Sequence, residues 1–362
     1  MQNNGFLKTR EIFAIALIFV SLKATDSTPT LIAQKTQNAT WMVPIISFLL
    51  ILPSFLLMIY LLKKYNDKNL VELFEAVTGK WIGKLLGLVI FLFCMSALMF
   101  ESRNYIDQIK VLYFHNSPME IMFFLFIGVV FFGAKKGIEV IGFTAWISFP
   151  IIQFTAILVI VLISGEVIIQ RAFPIFGSGL EQVLTQGYSK AAIFGELFVL
   201  LIAYNATKES RMFRKGLLLA AFVGLIEIVV FYFVYITVFD YNSIQKAAFP
   251  FHDITQFISF GNFFTNIETV FMIFWLFAAF LKFIILIYFT AWIFGTIFNL
   301  KSFEPILLPI SLLTILGGIL PFNSGLTELV YHERLLAWLS LFFIAFPIVL
   351  WLIAWKKGEL KA

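Results

Sequence analysis

The chain has 362 residues, 61% of them hydrophobic and only 13% charged, with a mean hydropathy of +0.95. A charged fraction near half of the roughly 25% typical of soluble domains excludes a water-soluble globule and indicates a polytopic membrane protein. The net charge of +5 and pI near 9.1 do not indicate nucleic acid, because the basic residues lie in short clusters between hydrophobic runs, the pattern of membrane topology.

A bilayer core of about 30 Å takes about 20 helical residues at 1.5 Å each, and ten stretches read as spans. The first, 11–33, is interrupted: Lys23-Ala-Thr-Asp-Ser-Thr-Pro29 falls where the lipid is deepest. Ended at Ala24, the span would be about 21 Å long, too short to cross. Continued, it must break, because Pro29 has no amide proton and clashes with the preceding turn. Open backbone at mid-membrane is tolerated only where it lines a protein cavity, so the break is a ligand-site candidate, the alternative being a short, tilted span followed by a loop. Pro29 then opens a second half-helix, with Ser27 or Thr28 as N-cap and amides ready to take a carboxylate.

The later spans are expected at 41–62, 81–110, 119–134, 138–165, 187–206, 215–239, 263–298, 304–321 and 334–355. Between the second and third, 67–77 alternates charged and apolar residues at helical spacing. Two connections on the opposite side, 167–186 and 241–262, are long enough to carry structure, and Pro250-Phe-His-Asp-Ile-Thr-Gln-Phe-Ile reads as a short amphipathic helix on the outer face. Seventeen lysines and arginines fall in one set of loops and six in the other, which makes both termini cytoplasmic. The N-terminal apolar stretch has no small-x-small cleavage site and is not read as a removable signal peptide. The chain is a single transmembrane domain, 1–362.

The third and eighth spans are the longest, equivalent positions in a five-plus-five inverted repeat of about 11–166 and 187–355. The counterpart of the broken first span is then the sixth, where Gly195 and Glu196 lie near the midpoint. A charge at the bilayer centre costs about 2.5–3.5 kcal/mol on insertion scales, so such residues should face inward and pair. Counted from the loops, Lys23, Asp26, Glu196, Glu227 and Lys282 lie near the centre, and Glu101, Arg103 and Glu268 toward the outer side. The expected pairs are Arg103 with Glu268, and Lys23 or Lys282 with Asp26, Glu196 or Glu227. Catalysis is not expected: His115, His252 and His332 fall in outer connections, no metal-ligand spacing occurs, and Cys94 sits in an apolar run as a small core residue. No cofactor or metal is expected.

The run Leu22-Lys-Ala-Thr-Asp-Ser-Thr-Pro-Thr-Leu-Ile-Ala-Gln, with Asn38-Ala-Thr-Trp-Met, Lys63-Lys-Tyr-Asn-Asp-Lys-Asn-Leu and Asn266-Ile-Glu-Thr-Val-Phe-Met-Ile-Phe-Trp275, resembles the endospore germination permeases. These are the B subunits of nutrient germinant receptors, in the amino acid-polyamine-organocation superfamily. The resemblance spans essentially the whole chain. It implies an all-α leucine-transporter-like fold with helices one and six broken around a small nutrient such as an amino acid. It also implies location in the spore inner membrane, contact with membrane lipid, and partnership with a larger A subunit and a lipoprotein C subunit.

Carried onto this chain, the first break falls at Thr25–Pro29 and the facing one at Gly195 and Glu196. Many members have a small, glycine-containing break in helix one, where this chain has Lys23 and Asp26. A zwitterionic ligand would set its carboxylate on the amides and hydroxyls of Ser27 and Thr28, beside Thr25, and its ammonium near Glu196 or Asp26. Phe100 and Phe194 would select the side chain. Lys23, Arg103, Glu227, Glu268 and Lys282 would serve ion pairing or coupling. The alternative is a proton-coupled amino-acid transporter with Glu196 or Glu227 as proton carrier.

Overall fold

The computed structural model describes residues 6–65, 68–258, 268–320 and 333–360, and all regular structure among them is helical. The first span is α1 (Thr9–Ser21), a 3-10 turn (Leu22–Ala24) and α2 (Thr28–Thr36), followed by α3 (Val43–Lys64), α4 (Leu70–Thr78), α5 (Lys80–Leu112), α6 (Met119–Ala134) and α7 (Ile138–Ile163). The second half holds α8 (Leu180–Ser189), α9 (Glu196–Val199), α10 (Ser210–Phe239), α11 (Tyr241–Ile244), α12 (Pro250–Thr255), α13 (Glu268–Ile297), α14 (Leu307–Ile319) and α15 (Glu333–Lys356).

Among the described residues, six helical runs are long and apolar enough to cross a bilayer, and the bent pair Leu180–Ser189 with Ala191–Ala206 makes a seventh. One of the six, Thr28–Lys64, holds the second half of span one together with span two, so α1 and the shorter apolar helices Met119–Ala134 and Glu304–Ile319 complete ten spans. Apolar side chains cover both sides of these helices. On α6, for example, Phe123 and Val130 are buried while Phe124, Leu125 and Phe132 are exposed, as expected where the solvent is lipid.

Several expectations hold. The 67–77 segment contains α4, whose N-cap Asn69 accepts from the amides of Val71 and Glu72 while Glu72 accepts from Asn69, a reciprocal cap that starts a helix beside the membrane. Pro250 opens α12, which buries Phe251 and Ile254. Cys94 is buried and unbridged. Three expectations need correction. The sixth span begins at Leu180, not at 187. The 30-residue α10 starts at Ser210 and equals the described length of α13, so length does not single out spans three and eight. The sixth span bends by 42° between Ser189 and Ala191, not at Gly195, which keeps right-handed helical geometry. The expected residues 259–267, including Asn262 and Asn266, and also Asp67, His332 and the end of span nine, lie outside the described residues.

What positions the first break is a seam of small residues. Gly216, Ala220 and Gly224 of α10 are buried at four-residue spacing, and α1 lies directly on them. A methyl group at Gly216 would come within 2.6 Å of the Thr9 carbonyl, and one at Gly224 within 2.6 Å of Val20. Lipid tails are as apolar as leucine, so close van der Waals approach over small residues, not hydrophobicity, holds such a pair together.

Outside the spans, burial pushes the Asp253 carboxyl of α12 up from 3.8 to about 6. A carboxyl whose folded value exceeds its unfolded value binds protons more tightly when folded. Its stabilising effect is therefore complete below about 4 and is lost as pH rises through about 6. The amide protection factors of 250–255 in hydrogen exchange are expected to fall between pH 5 and pH 7, and Asp253→Asn to remove that dependence. Equal protection at both pH values in the native chain would refute it.

Candidate functional site

The helix-one break leaves backbone groups without helical partners, and neighbouring helices satisfy them. Tyr232 and Tyr235, on one face of α10, donate their hydroxyls to the carbonyls of Lys23 (3.0 Å) and Ala24 (2.7 Å). Thr25 donates to the Leu22 carbonyl (3.0 Å) and accepts from the Trp275 indole of α13 (3.2 Å). Ser27 is the N-cap residue of α2, with Pro29 in the first turn, as expected. Its hydroxyl does not cap the helix but accepts from Asn104 of α5 (3.0 Å), and the Thr28 amide donates to the Asp26 carboxylate instead (2.9 Å). The amide assigned to a ligand carboxylate is thus held by the protein's own.

At the same level, five charges from four elements converge, four of them buried and Asp26 half-buried. Lys23 Nζ contacts Glu101 Oε1 of α5 and lies 3.6 Å from Glu196 Oε1 and 3.7 Å from Asp26 Oδ2. Lys282 Nζ of α13, fully enclosed, is 2.7 Å from Glu101 Oε2 and 3.1 Å from Glu196 Oε1. Glu101 and Glu196 are both shared by the two lysines, an arrangement that offsets their desolvation. Both lysine contacts of Glu196 are to Oε1, and its Oε2 has no hydrogen-bond donor among the described residues. With every member ionised, three carboxylates face two ammoniums, a formal charge of −1.

A cavity of about 10 Å³ adjoins this cluster, walled by Phe100, Glu101, Glu196 and by Leu335, Leu336 and Leu339 of α15. That is room for about one water, so no solute fits without movement.

The structure brings together Lys23, Asp26, Ser27, Thr28, Glu196, Lys282 and Phe100, and separates others. Phe194 is fully buried, edge-on to Phe48 of α3 at 5.2 Å, and does not line the cavity. Gly195 is a packing position, where a methyl would meet Phe343 of α15 at 2.7 Å. The expected Arg103–Glu268 pair is not among the ion pairs of the described residues. Arg103 pairs with Asp107 one turn on, at 2.8 Å, and donates to the carbonyls of Gly318 (3.2 Å) and Ile319 (3.4 Å), so its reach is consumed in capping the C-terminal end of α14. Glu268 instead lines a small niche with Gln108, His252 and Trp275. Glu227 is apart from the cluster, accepting from Ser21 (2.5 Å) and Gln153 (3.2 Å).

Sequence reasoning missed Glu101 as the hub, placing it at outer depth because it comes late in its span. The 33-residue α5 is about 50 Å long, so position along it does not give depth. Two tyrosines three residues apart on one helix face, Tyr232 and Tyr235, were a usable signal for a partner lacking helical hydrogen bonds.

The family model for spore germination proteins matches residues 7–325. The chain belongs to this germination permease family. Relatives from Bacillus subtilis (strain 168) include the putative spore germination protein YfkT, 25% identical over 68% of each chain, and spore germination protein KB, 22% identical over 97% of this chain and 95% of that one. Among solved structures, a Na+-coupled sialic acid symporter in a substrate-bound outward-open state superposes with a TM-score of 0.59 at 13% identity, covering 94% of this chain and 78% of the symporter. That likeness establishes the transporter fold, leucine-transporter-like with a broken first helix and a bent sixth, and fits the break geometry described above for this permease.

Proposed function

We propose that this permease is the nutrient-sensing membrane subunit of a germinant receptor and binds an amino acid at the Lys23–Glu101–Glu196–Lys282 cluster. The observation that carries the reading is Glu196: a carboxylate with both lysines on one oxygen and the other, Oε2, without a hydrogen-bond donor among the described residues, on a one-water cavity, in a cluster of three carboxylates and two ammoniums. A ligand ammonium supplies the missing charge and donors. The ligand carboxylate displaces Asp26 from the Thr28 amide and hydroxyl, at the N-terminal end of α2. Because the cavity is closed, binding requires α5, the sixth span and α15 to separate. A shift between closed and opened packing is the event that a larger A subunit and a lipoprotein C subunit in the spore inner membrane would read. In this reading both termini lie in the cytoplasm, which the bias of lysine and arginine between the two sets of loops supports.

Thermal unfolding of the purified protein against a panel of L-amino acids tests the site. A stabilising amino acid is expected to bind Glu196→Ala about tenfold or more weakly, from loss of a charged hydrogen bond, and Thr28→Ala measurably more weakly. Unchanged shifts in both variants reject the pocket. Glu227, a half-buried carboxylate whose hydrogen-bond partners among the described residues are both neutral, favours the proton-coupled transporter as a second reading. Accumulation of labelled amino acid in reconstituted vesicles supports transport, and binding without accumulation supports sensing.

A further inference from the structure

Glu227 lies halfway along α10 and opens onto a second cavity, of about 50 Å³, between α1, α7, α10, α12 and α13. None of the five charges of the Lys23 cluster lines it, and Glu227 is the one charged residue among the described residues that does. The hydrogen bonds to Glu227 come from the Ser21 hydroxyl and the Gln153 amide, both neutral, and no ion pair to it occurs among the described residues. Apart from Thr25 and Thr155, the rest of the wall is apolar or aromatic, chiefly Phe149, Phe231, Phe251, Phe274 and the Trp275 indole.

We propose that this cavity is a binding site for one small organic ammonium, a short primary alkylamine, with its nitrogen on Glu227 and its carbons against the aromatic rings. A lone carboxylate at mid-membrane is costly without a counter-charge, and a single negative charge specifies a monocation. A carboxylate offers about four acceptor positions, of which Ser21 and Gln153 use at most three. Aromatic faces add cation–π attraction for an ammonium. A bare metal cation fits poorly, since hard cations take a shell of oxygens and the wall facing the cavity is mostly carbon. The volume admits a few water-sized groups, which limits the ligand to a few heavy atoms. The site touches the first break through Ser21 and Thr25, so its occupancy bears on the α1 end of the break without entering the Lys23 cluster.

Radiolabelled methylammonium is the probe, in equilibrium binding to the full-length protein in nanodiscs at pH 7 and constant ionic strength. Saturable binding near one per chain is expected, insensitive to sodium chloride and weakened at least about 30-fold in Glu227→Gln, the loss expected for one partner of a buried charge pair. Glu196→Ala, which tests the amino-acid site, should leave methylammonium binding intact, so the two readings fail separately. Absence of saturable binding, or equal binding by Glu227→Gln, overturns the proposal. Competition by sodium at equal concentration makes the cavity an alkali-ion site, and a stability that depends on pH but not on methylammonium makes it a proton site; either result also overturns it. Should Glu227→Gln fail to fold, the sodium and pH arms on the unaltered protein still decide.

Discussion

Glu101→Ala is expected to be among the most damaging single substitutions in the protein, lowering stability by about 3–5 kcal/mol. Glu101 is the closest carboxylate of both Lys23 and Lys282, and its removal takes the nearest counter-charge from two enclosed ammoniums, leaving Lys282 with Glu196 alone, at 3.1 Å. The penalty comes from stranding charges more than from losing an attraction. The double variant Glu101→Gln with Lys282→Met, which removes a matched pair, is therefore expected to be less destabilised than Glu101→Ala alone. Thermal unfolding in detergent, read as the fraction monodisperse after heating, makes the comparison. A double variant as unstable as the single one would show that packing, and not charge balance, governs this position.

The second large effect is expected at the α1–α10 seam. Gly216→Val places a branched side chain where even one methyl would sit 2.6 Å from the Thr9 carbonyl oxygen. The obstacle is backbone, which cannot rotate away, so α1 must tilt off α10 at a cost of about 1–3 kcal/mol. Because α1 carries the break at its far end, the hydrogen bonds from Tyr232 and Tyr235 to the Lys23 and Ala24 carbonyls are expected to loosen with it. Hydrogen exchange across 22–28 should rise in Gly216→Val and stay unchanged in Leu219→Val, whose side chain is exposed on the same helix. Equal exchange in both variants would refute this role for the seam.

The membrane class, the ten spans, the interrupted first helix, the α2 start at Ser27-Thr28-Pro29 and the α12 start at Pro250 were all legible along the chain. Each depends on local properties: the length of an apolar run, the missing proline amide, and residue types suited to a helix start. Mid-membrane charges were legible too, since Lys23, Asp26, Glu196 and Lys282 stand out against apolar neighbours, and the structure gathers all four. Their partners were not. Glu101 was assigned the wrong depth, Arg103 turned to its own helix and to α14, Phe194 packed away from the cavity, and the sixth span bent five residues before Gly195. Pairing depends on how long helices tilt and rotate about their axes, and in lipid those angles follow from close packing of small and aromatic residues between helices, which no single helix encodes.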